Sequence, residues 1–190
     1  MHPDPCQTSP AIPVDGSPRE TRGADGAPLA LRPMTVDDSV PVARLIGRAM
    51  NPGEGAQARE TFRFHFSCKR HGIDDGRSYF VLAGEQGPKG IAGLHRYVWG
   101  PPENAWLAWF AVDPKSHGRG LGAFLIQAIT RHATQLGYMK LFVETYSTPE
   151  FARARAFYRS HGFLPAGHVH AYLANGGDMV VLCKELTRHV

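Results

Sequence analysis

An alternating run of glycines between an apolar segment and an amphipathic one constrains this sequence more than any other feature. The glycines occupy every second position over 118–122, after the apolar stretch 105–112. Over 119–136, apolar side chains recur at spacings of three and four, which predicts a long helix. Glycine lets a backbone turn sharply and approach a ligand closely, and the first amides of a helix have no intrahelical partner. The pattern predicts a strand, an anion-binding loop and a helix, with the amides of 118–123 as donors and Arg119 as an added charge.

Two well-known kinds of phosphate-binding loop fit the sequence around these glycines poorly. Gly118, Gly120 and Ala123 match the G-x-G-x-x-A form of the dinucleotide-binding fingerprint, and Glu144 lies 24 residues beyond Gly120. In that fingerprint the first glycine directly follows the strand, whereas five residues separate Gly118 from Val112 here. A Walker-type loop is excluded because no Gly-Lys-Ser/Thr ending is present. An NAD(P)-dependent oxidoreductase is therefore the less favoured alternative.

The order of predicted elements indicates an α/β fold with a mixed, mostly antiparallel central sheet flanked by helices. Three consecutive strands with short connections precede the glycine loop, which predicts an antiparallel meander. Thr35 is a predicted helix N-cap, with Asp38 as an approximate capping box, and residues 51–55 are expected to end that first helix. The predicted strands are 29–31, 79–83, 90–99, 105–112, 139–145, 163–172 and 179–186, and the later helices are 56–72, 119–136 and 149–161.

Composition divides the chain of 190 residues into a tail and one folded domain. Residues 1–28 hold six prolines and almost no aliphatic side chains, so we expect a disordered tail there and a single domain over 29–190. The net charge is +4 for the whole chain and −2 for 1–28, which leaves +6 for the rest. This excess favours an anionic partner, but the absence of a Lys/Arg run argues against nucleic acid.

The sequence does not favour a membrane protein, a disulfide-rich protein or a metal-binding protein. No apolar run approaches the roughly 20 residues of a membrane span. The three cysteines, Cys6, Cys68 and Cys183, are far apart and odd in number, so they predict neither a disulfide framework nor a zinc cluster. His168 and His170 alternate on one predicted strand but lack a third ligand, and we expect no metal. These features favour a cytoplasmic location.

Two motifs carry a resemblance to a known family. The segment Val112–Pro114 (VDP) followed by His117–Gly122 (HGRGLG) resembles the acetyl-CoA-binding motif of the GNAT family of N-acetyltransferases. The segment Ala154–Phe163 (ARAFYRSHGF) resembles the helix and strand start of that family, and Leu31–Thr35 (LRPMT) resembles its first strand. The resemblance covers about 29–186 and implies a GNAT-like fold.

The resemblance implies transfer of an acetyl group from acetyl-CoA to a primary amine by direct attack. It implies that main-chain groups of the third strand hold the pantetheine and that the loop amides hold the diphosphate. The implied cofactor-binding residues are Phe110, Val112, His117, Gly118, Arg119, Gly120, Leu121, Gly122 and Ala123.

The same resemblance implies roles for individual side chains. Tyr158 matches the general acid that protonates the leaving thiolate, and Glu144 matches a base position of one subgroup. A water chain is an alternative base, and His95 ranks below Glu144. The sequence departs from the family pattern at His117, where Gln or Arg is usual, and at Phe151, where many relatives carry an Asn that contacts the cofactor.

The acceptor amine and the oligomeric state are left open by the sequence, a homodimer included. The acceptor pocket is expected from 50–75, 146–153 and the 170s, since loops of this kind vary most. A non-catalytic acyl-CoA-binding module, which would keep the glycine loop but lack a working base, is the other alternative.

Overall fold

The computed structural model describes residues 29–186, and the predicted tail over 1–28 lies outside them. The strands are β1 (Ala30–Pro33), β2 (Arg77–Gly84), β3 (Gly87–His95), β4 (Asn104–Val112), β5 (Lys140–Tyr146), β6 (Leu164–Val169) and β7 (Met179–Glu185). The α-helices are α1 (Ser39–Ala49), α2 (Pro52–Arg70), α3 (Leu121–Gln135) and α4 (Ala152–Ser160). None of the helices within 29–186 is long and apolar enough to cross a membrane.

The seven strands pair in the order β1-β2-β3-β4-β5-β7-β6. The β4–β5 pair is parallel and is registered from Asn104 opposite Lys140 to Trp106 opposite Phe142. The pairs β1–β2, β5–β7 and β6–β7 are antiparallel. The predicted fold class, a mixed and mostly antiparallel sheet with helices, is confirmed.

The described residues form two compact units. The first comprises 29–94 and 108–129, and the second comprises 95–107 and 130–186. The core of the first unit is made by apolar side chains of α1, α2, β2 and β3, where the ring of Phe62 meets that of Tyr79 edge to face at 5.1 Å. Burial of these side chains provides the main driving force for folding of that unit.

The second helix starts earlier than the sequence predicted. Residues 51–55 were expected to be a loop, but α2 begins at Pro52 and the Asn51 side chain accepts a hydrogen bond from the Glu54 amide at 3.0 Å. Asn is a strong N-cap and Pro is favoured at the first helical position, so the residues expected to end one helix instead start the next.

Two strands are shorter than predicted. β3 ends at His95 instead of Trp99, and β6 ends at Val169 instead of Tyr172. After β6 the chain turns through Ala171, whose φ is 48° and whose amide donates to Asp178 Oδ1 at 2.9 Å. His168 and His170 therefore do not share a strand, since His170 lies beyond β6 and pairs with Asp178 instead.

The expected capping box at the start of the first helical segment is confirmed. The Thr35 amide donates to Asp38 Oδ2 at 2.8 Å, and a short 3₁₀ turn over Val36–Asp38 precedes α1. Arg32 on β1 donates to both oxygens of the same carboxylate, at 2.6 and 2.8 Å. The hydrogen bond from Arg32 is the main cause that lowers the pKa of Asp38 to about 2.

We expect Asp38→Asn to remove a pH-dependent part of the stability. Because the pKa of Asp38 is lowered to about 2 in the folded state, the carboxylate stabilises the fold above about pH 4 and loses this effect as the pH falls toward 2. The pair is partly exposed, so the loss at pH 7 should be about 1 kcal/mol. Chemical denaturation should show that the difference in the free energy of unfolding between this variant and the unmodified protein is smaller at pH 2.5 than at pH 7. Asp37→Asn, in the same turn but exposed, is the control, and an equal effect of both changes would contradict the role of Arg32.

Close helix contact gives a second prediction. A Cβ added to Gly55 would lie 2.8 Å from the Gly47 Cα and 3.0 Å from the Ala43 carbonyl oxygen, both backbone atoms. A Cβ on Gly47 would meet Gly55 at an ordinary 3.6 Å. Gly55→Ala should therefore lower the free energy of unfolding by about 1–3 kcal/mol through overpacking. Gly47→Ala should leave it unchanged or raise it by up to about 1 kcal/mol through helix propensity. Thermal and urea unfolding of both variants measure the sign of the change in the free energy of unfolding. If Gly47→Ala lowered that free energy, the ordinary 3.6 Å contact at Gly47 would be contradicted.

Candidate active site

The glycine loop sits in the first unit, between β4 and α3. Asp113 Oδ1 accepts the Lys115 amide at 3.2 Å and caps a 3₁₀ turn over Pro114–Ser116. The chain then passes through Gly118 and Gly120, whose φ values are 77° and 75°, in the left-handed region. Side chains other than glycine are strained there. The backbone path thus requires Gly118 and Gly120, whereas Gly122 lies within α3.

Six consecutive amides follow this turn without a protein acceptor. The His117 amide donates to the Pro114 carbonyl at 3.2 Å, and the Phe124 amide donates to the Gly120 carbonyl at 2.9 Å. Between them, the structure gives the amides of 118–123 no hydrogen bond within residues 29–186. The partial positive charge of the α3 N-terminus adds to these donors. The arrangement suits a ligand that carries negative oxygens.

The end of β4 that leads into the loop is held from two sides. The Asp113 amide donates to the Lys89 carbonyl on β3 at 2.9 Å. Arg48 near the end of α1 donates to Asp113 Oδ2 at 3.2 Å, and Asp113 is buried. A buried carboxylate is stable when it is paired in this way. Arg48 therefore fixes the residue that caps the turn.

The loop side chains differ in what they can offer a ligand. Leu121 is buried in the first unit, so only its backbone is available. His117 is exposed, and its Nε2 lies 3.2 Å from the Val112 carbonyl oxygen, which keeps the ring against the strand end. Arg119 is exposed, and Phe110 and Val112 are half-buried on β4. The main-chain amides of the loop are therefore the principal hydrogen-bond donors that it can offer a ligand.

Tyr158 lies on α4 in the second unit and is buried. Its ring meets Phe157 at 5.6 Å and Phe163 at 5.7 Å. Burial raises the pKa of the Tyr158 phenol above its ordinary value. The hydroxyl therefore keeps its proton at neutral pH, as a general acid requires.

The candidate bases are in the second unit as well. Glu144 on β5 is exposed, and its Oε1 lies 3.5 Å from the Tyr146 hydroxyl. His95, at the end of β3, is half-buried, with its ring 4.6 Å from that of Tyr97. Within 29–186 no group of three His, Cys, Asp or Glu residues could hold a metal ion.

Comparison with known proteins assigns the chain. The sequence model of the acetyltransferase (GNAT) family matches residues 45–163, which is more than half of the chain. The chain belongs to this family. The match includes the glycine loop and Tyr158 and classes the protein as a GNAT acetyltransferase. No curated protein matches the sequence significantly.

Solved structures support the same fold. A protein assigned to the GNAT family from Desulfovibrio desulfuricans has a TM-score of 0.74 at 23% identity, covering 84% of this chain and 99% of that one. The ribosomal-protein-S18-alanine N-acetyltransferase of Escherichia coli has a TM-score of 0.64 at 20% identity, with coverage of 85% and 96%. A spermidine N-acetyltransferase chimera from Vibrio cholerae has a TM-score of 0.64 at 19% identity, with coverage of 83% and 95%. At identities this low, the similarity shows that this chain shares the GNAT fold. It does not assign the acceptor of this acetyltransferase.

Sequence reasoning missed Arg48 and Tyr172. Arg48 precedes Asp113 by 65 residues, and no local spacing links them. Tyr172 lies between β6 and β7, and its ring stacks on Tyr146 with centroids 6.2 Å apart. The only signal was the general expectation that the 170s line the acceptor pocket.

We expect Arg48→Gln to loosen the turn before the glycine loop. Losing a half-exposed ion pair removes at most about 1 kcal/mol, so the Ser116 and His117 amides should exchange hydrogen about fivefold faster. Hydrogen-exchange mass spectrometry measures this directly. Arg44→Gln, an exposed arginine on the same helix, should leave the exchange unchanged. Equal exchange in both variants would show that Arg48 does not hold the turn.

Proposed function

We propose that this enzyme transfers an acetyl group from acetyl-CoA to a primary amine by direct attack. In the reaction, the C–N bond forms, the thioester C–S bond breaks, the amine gives up a proton and the leaving sulfur gains one. The run of unbonded amides over 118–123 carries the proposal, because it offers a diphosphate the donors that it needs. The scattered cysteines support a cytoplasmic location as part of the proposal.

The main chain supplies most of the binding in this proposal. The amides of Gly118, Arg119, Gly120, Leu121, Gly122 and Ala123, together with the exposed ring of His117, would hold the diphosphate. Main-chain groups of Phe110 and Val112 on β4 would bind the amides of the pantetheine arm. Phe151 stands where many relatives carry Asn, so in the proposal the cofactor contact of that Asn is absent or is supplied by another group. Acetyl-CoA supplies the activated acyl group when it is bound.

Tyr158 is the proposed general acid. A phenol is protonated at neutral pH even at its ordinary pKa of about 10, and burial raises the pKa of Tyr158 further. It can therefore donate a hydrogen bond and then a proton to sulfur as negative charge develops there.

Glu144 or a chain of water molecules is the proposed base. The carboxylate is exposed, so an incoming ammonium group can reach it and lose its proton through it to solvent. His95 remains a weaker candidate because its ring packs against Tyr97.

Thiol release from acetyl-CoA in the presence of an amine panel tests the activity. Tyr158→Phe should lower kcat about 100-fold, the effect typical of a lost general acid, while the Kd for acetyl-CoA stays within twofold. Tyr138→Phe, a tyrosine outside the motif, serves as the control. An unchanged kcat in Tyr158→Phe would exclude the acid role.

A binding competition separates the alternative functions. Acetyl-CoA should displace a labelled CoA analogue, and NADH should not. Tight acetyl-CoA binding without turnover of any amine would indicate a non-catalytic binding module, and displacement by NADH alone would indicate an oxidoreductase.

A further inference from the structure

An aromatic cluster lies next to Glu144 in the second unit. The ring of Tyr146 lies 5.0 Å from Phe151 at 79° and 6.2 Å from Tyr172 at 14°. Tyr146 also brings its hydroxyl to 3.5 Å from Glu144 Oε1. We call Tyr146, Phe151 and Tyr172 the aromatic cluster. Its three rings come from β5, the turn before α4 and the β6–β7 connection, so three separate segments converge on Tyr146, whose hydroxyl lies near the carboxylate.

The strand next to Glu144 adds apolar surface on the same face. Val181 on β7 lies directly opposite Glu144, and Met179 lies opposite Tyr146. Residues directly opposite each other in an antiparallel pair project to the same side of the sheet. Both β7 residues are half-buried, and Tyr172 is 53% exposed. The carboxylate therefore stands beside an apolar surface that is partly open to solvent.

Within the described part of the chain, Glu144 has no ion-pair partner. Arg155 on α4 instead donates to the carbonyl oxygens of Tyr146 and Thr148, and His170 pairs with Asp178. The nearby cations that the structure describes are thus engaged elsewhere.

We propose that Glu144 and the aromatic cluster bind the acceptor as a cationic amine that has an apolar body and no carboxylate next to its amino group. This rests on the proposed function and names the substrate class. The carboxylate attracts the ammonium group, and aromatic faces within about 6 Å of a cation add to that attraction. The apolar body packs on the rings and on Met179 and Val181. A second carboxylate beside the amine is repelled by Glu144.

A matched pair of acceptors tests the class. Tyramine and tyrosine differ only by the carboxylate beside the amino group. The full chain with acetyl-CoA should acetylate tyramine with a kcat/KM at least tenfold above that for tyrosine. A preference for tyrosine, or equal values, would overturn the substrate class while leaving N-acetyl transfer in place. Acetylation of neither acceptor, with turnover of other amines, would also overturn it.

Removal of one aromatic wall tests the cluster. Tyr172→Ala should raise the KM for tyramine about fivefold to tenfold, as expected for a lost cation–π and packing contact. The value of kcat and the KM for acetyl-CoA should change less than twofold. Leu136→Ala, which removes an apolar side chain that is also 53% exposed but lies outside the expected pocket segments, is the control. An unchanged KM for tyramine in Tyr172→Ala would remove the cluster from the site.

The carboxylate is tested by binding, because Glu144 is also a proposed base. Titration of tyramine into enzyme saturated with CoA should give a Kd at least fivefold weaker for Glu144→Gln. The same change should not weaken tyrosine binding, because a repulsive charge is removed. Circular dichroism and the Kd for CoA show whether the variant folds. A folded variant that binds both amines as the unmodified enzyme does would refute the inference, whereas failure to bind CoA in the unmodified enzyme would refute the proposed function instead.

Discussion

The turn between β4 and α3 depends on a few backbone hydrogen bonds and on one ion pair between the buried Asp113 and the half-exposed Arg48. The Asp113 amide is bonded to β3, and its carboxylate is shared between the Lys115 amide and Arg48. With that residue fixed, the two glycines in the left-handed region set the direction in which the chain enters α3. Leu121 then buries its side chain at the first position of the helix. Because both ends of the loop are fixed, its amides are held in place before any ligand binds.

Burial separates the two side chains proposed for proton transfer. Tyr158 is buried among aromatic rings, and its raised pKa keeps it in the acid form. Glu144 is exposed, so it can exchange protons with water and meet a charged acceptor. An acid and a base that work in one reaction need different environments, and the fold provides both within the second unit. In the proposal, the aromatic cluster adds to the exposed carboxylate a preference among acceptors that charge alone would not supply.

Local chemistry explains which parts could be predicted from the sequence. The glycine loop, the Thr35–Asp38 box and the long helix α3 follow from residue types within a few positions of each other, and the structure reproduces them. Asn51-Pro52 was misread because the same residues can end one helix or start another. The end of β6 depends on Asp178, which is seven residues from Ala171 and accepts its amide. Arg48 and Tyr172 reach their partners through the fold, so no spacing in the sequence could place them. The roles of the site residues remain predictions.

The contact between Gly47 and Gly55 has an evolutionary consequence. The contact tolerates a methyl group on one side only, since a Cβ on Gly47 would lie 3.6 Å from Gly55 while a Cβ on Gly55 would lie 2.8 Å from the Gly47 Cα. A lineage that replaced Gly55 would have to respace both helices at once. Sequence change in α1 and α2 is therefore expected to be freer on their outward surfaces than at Gly55.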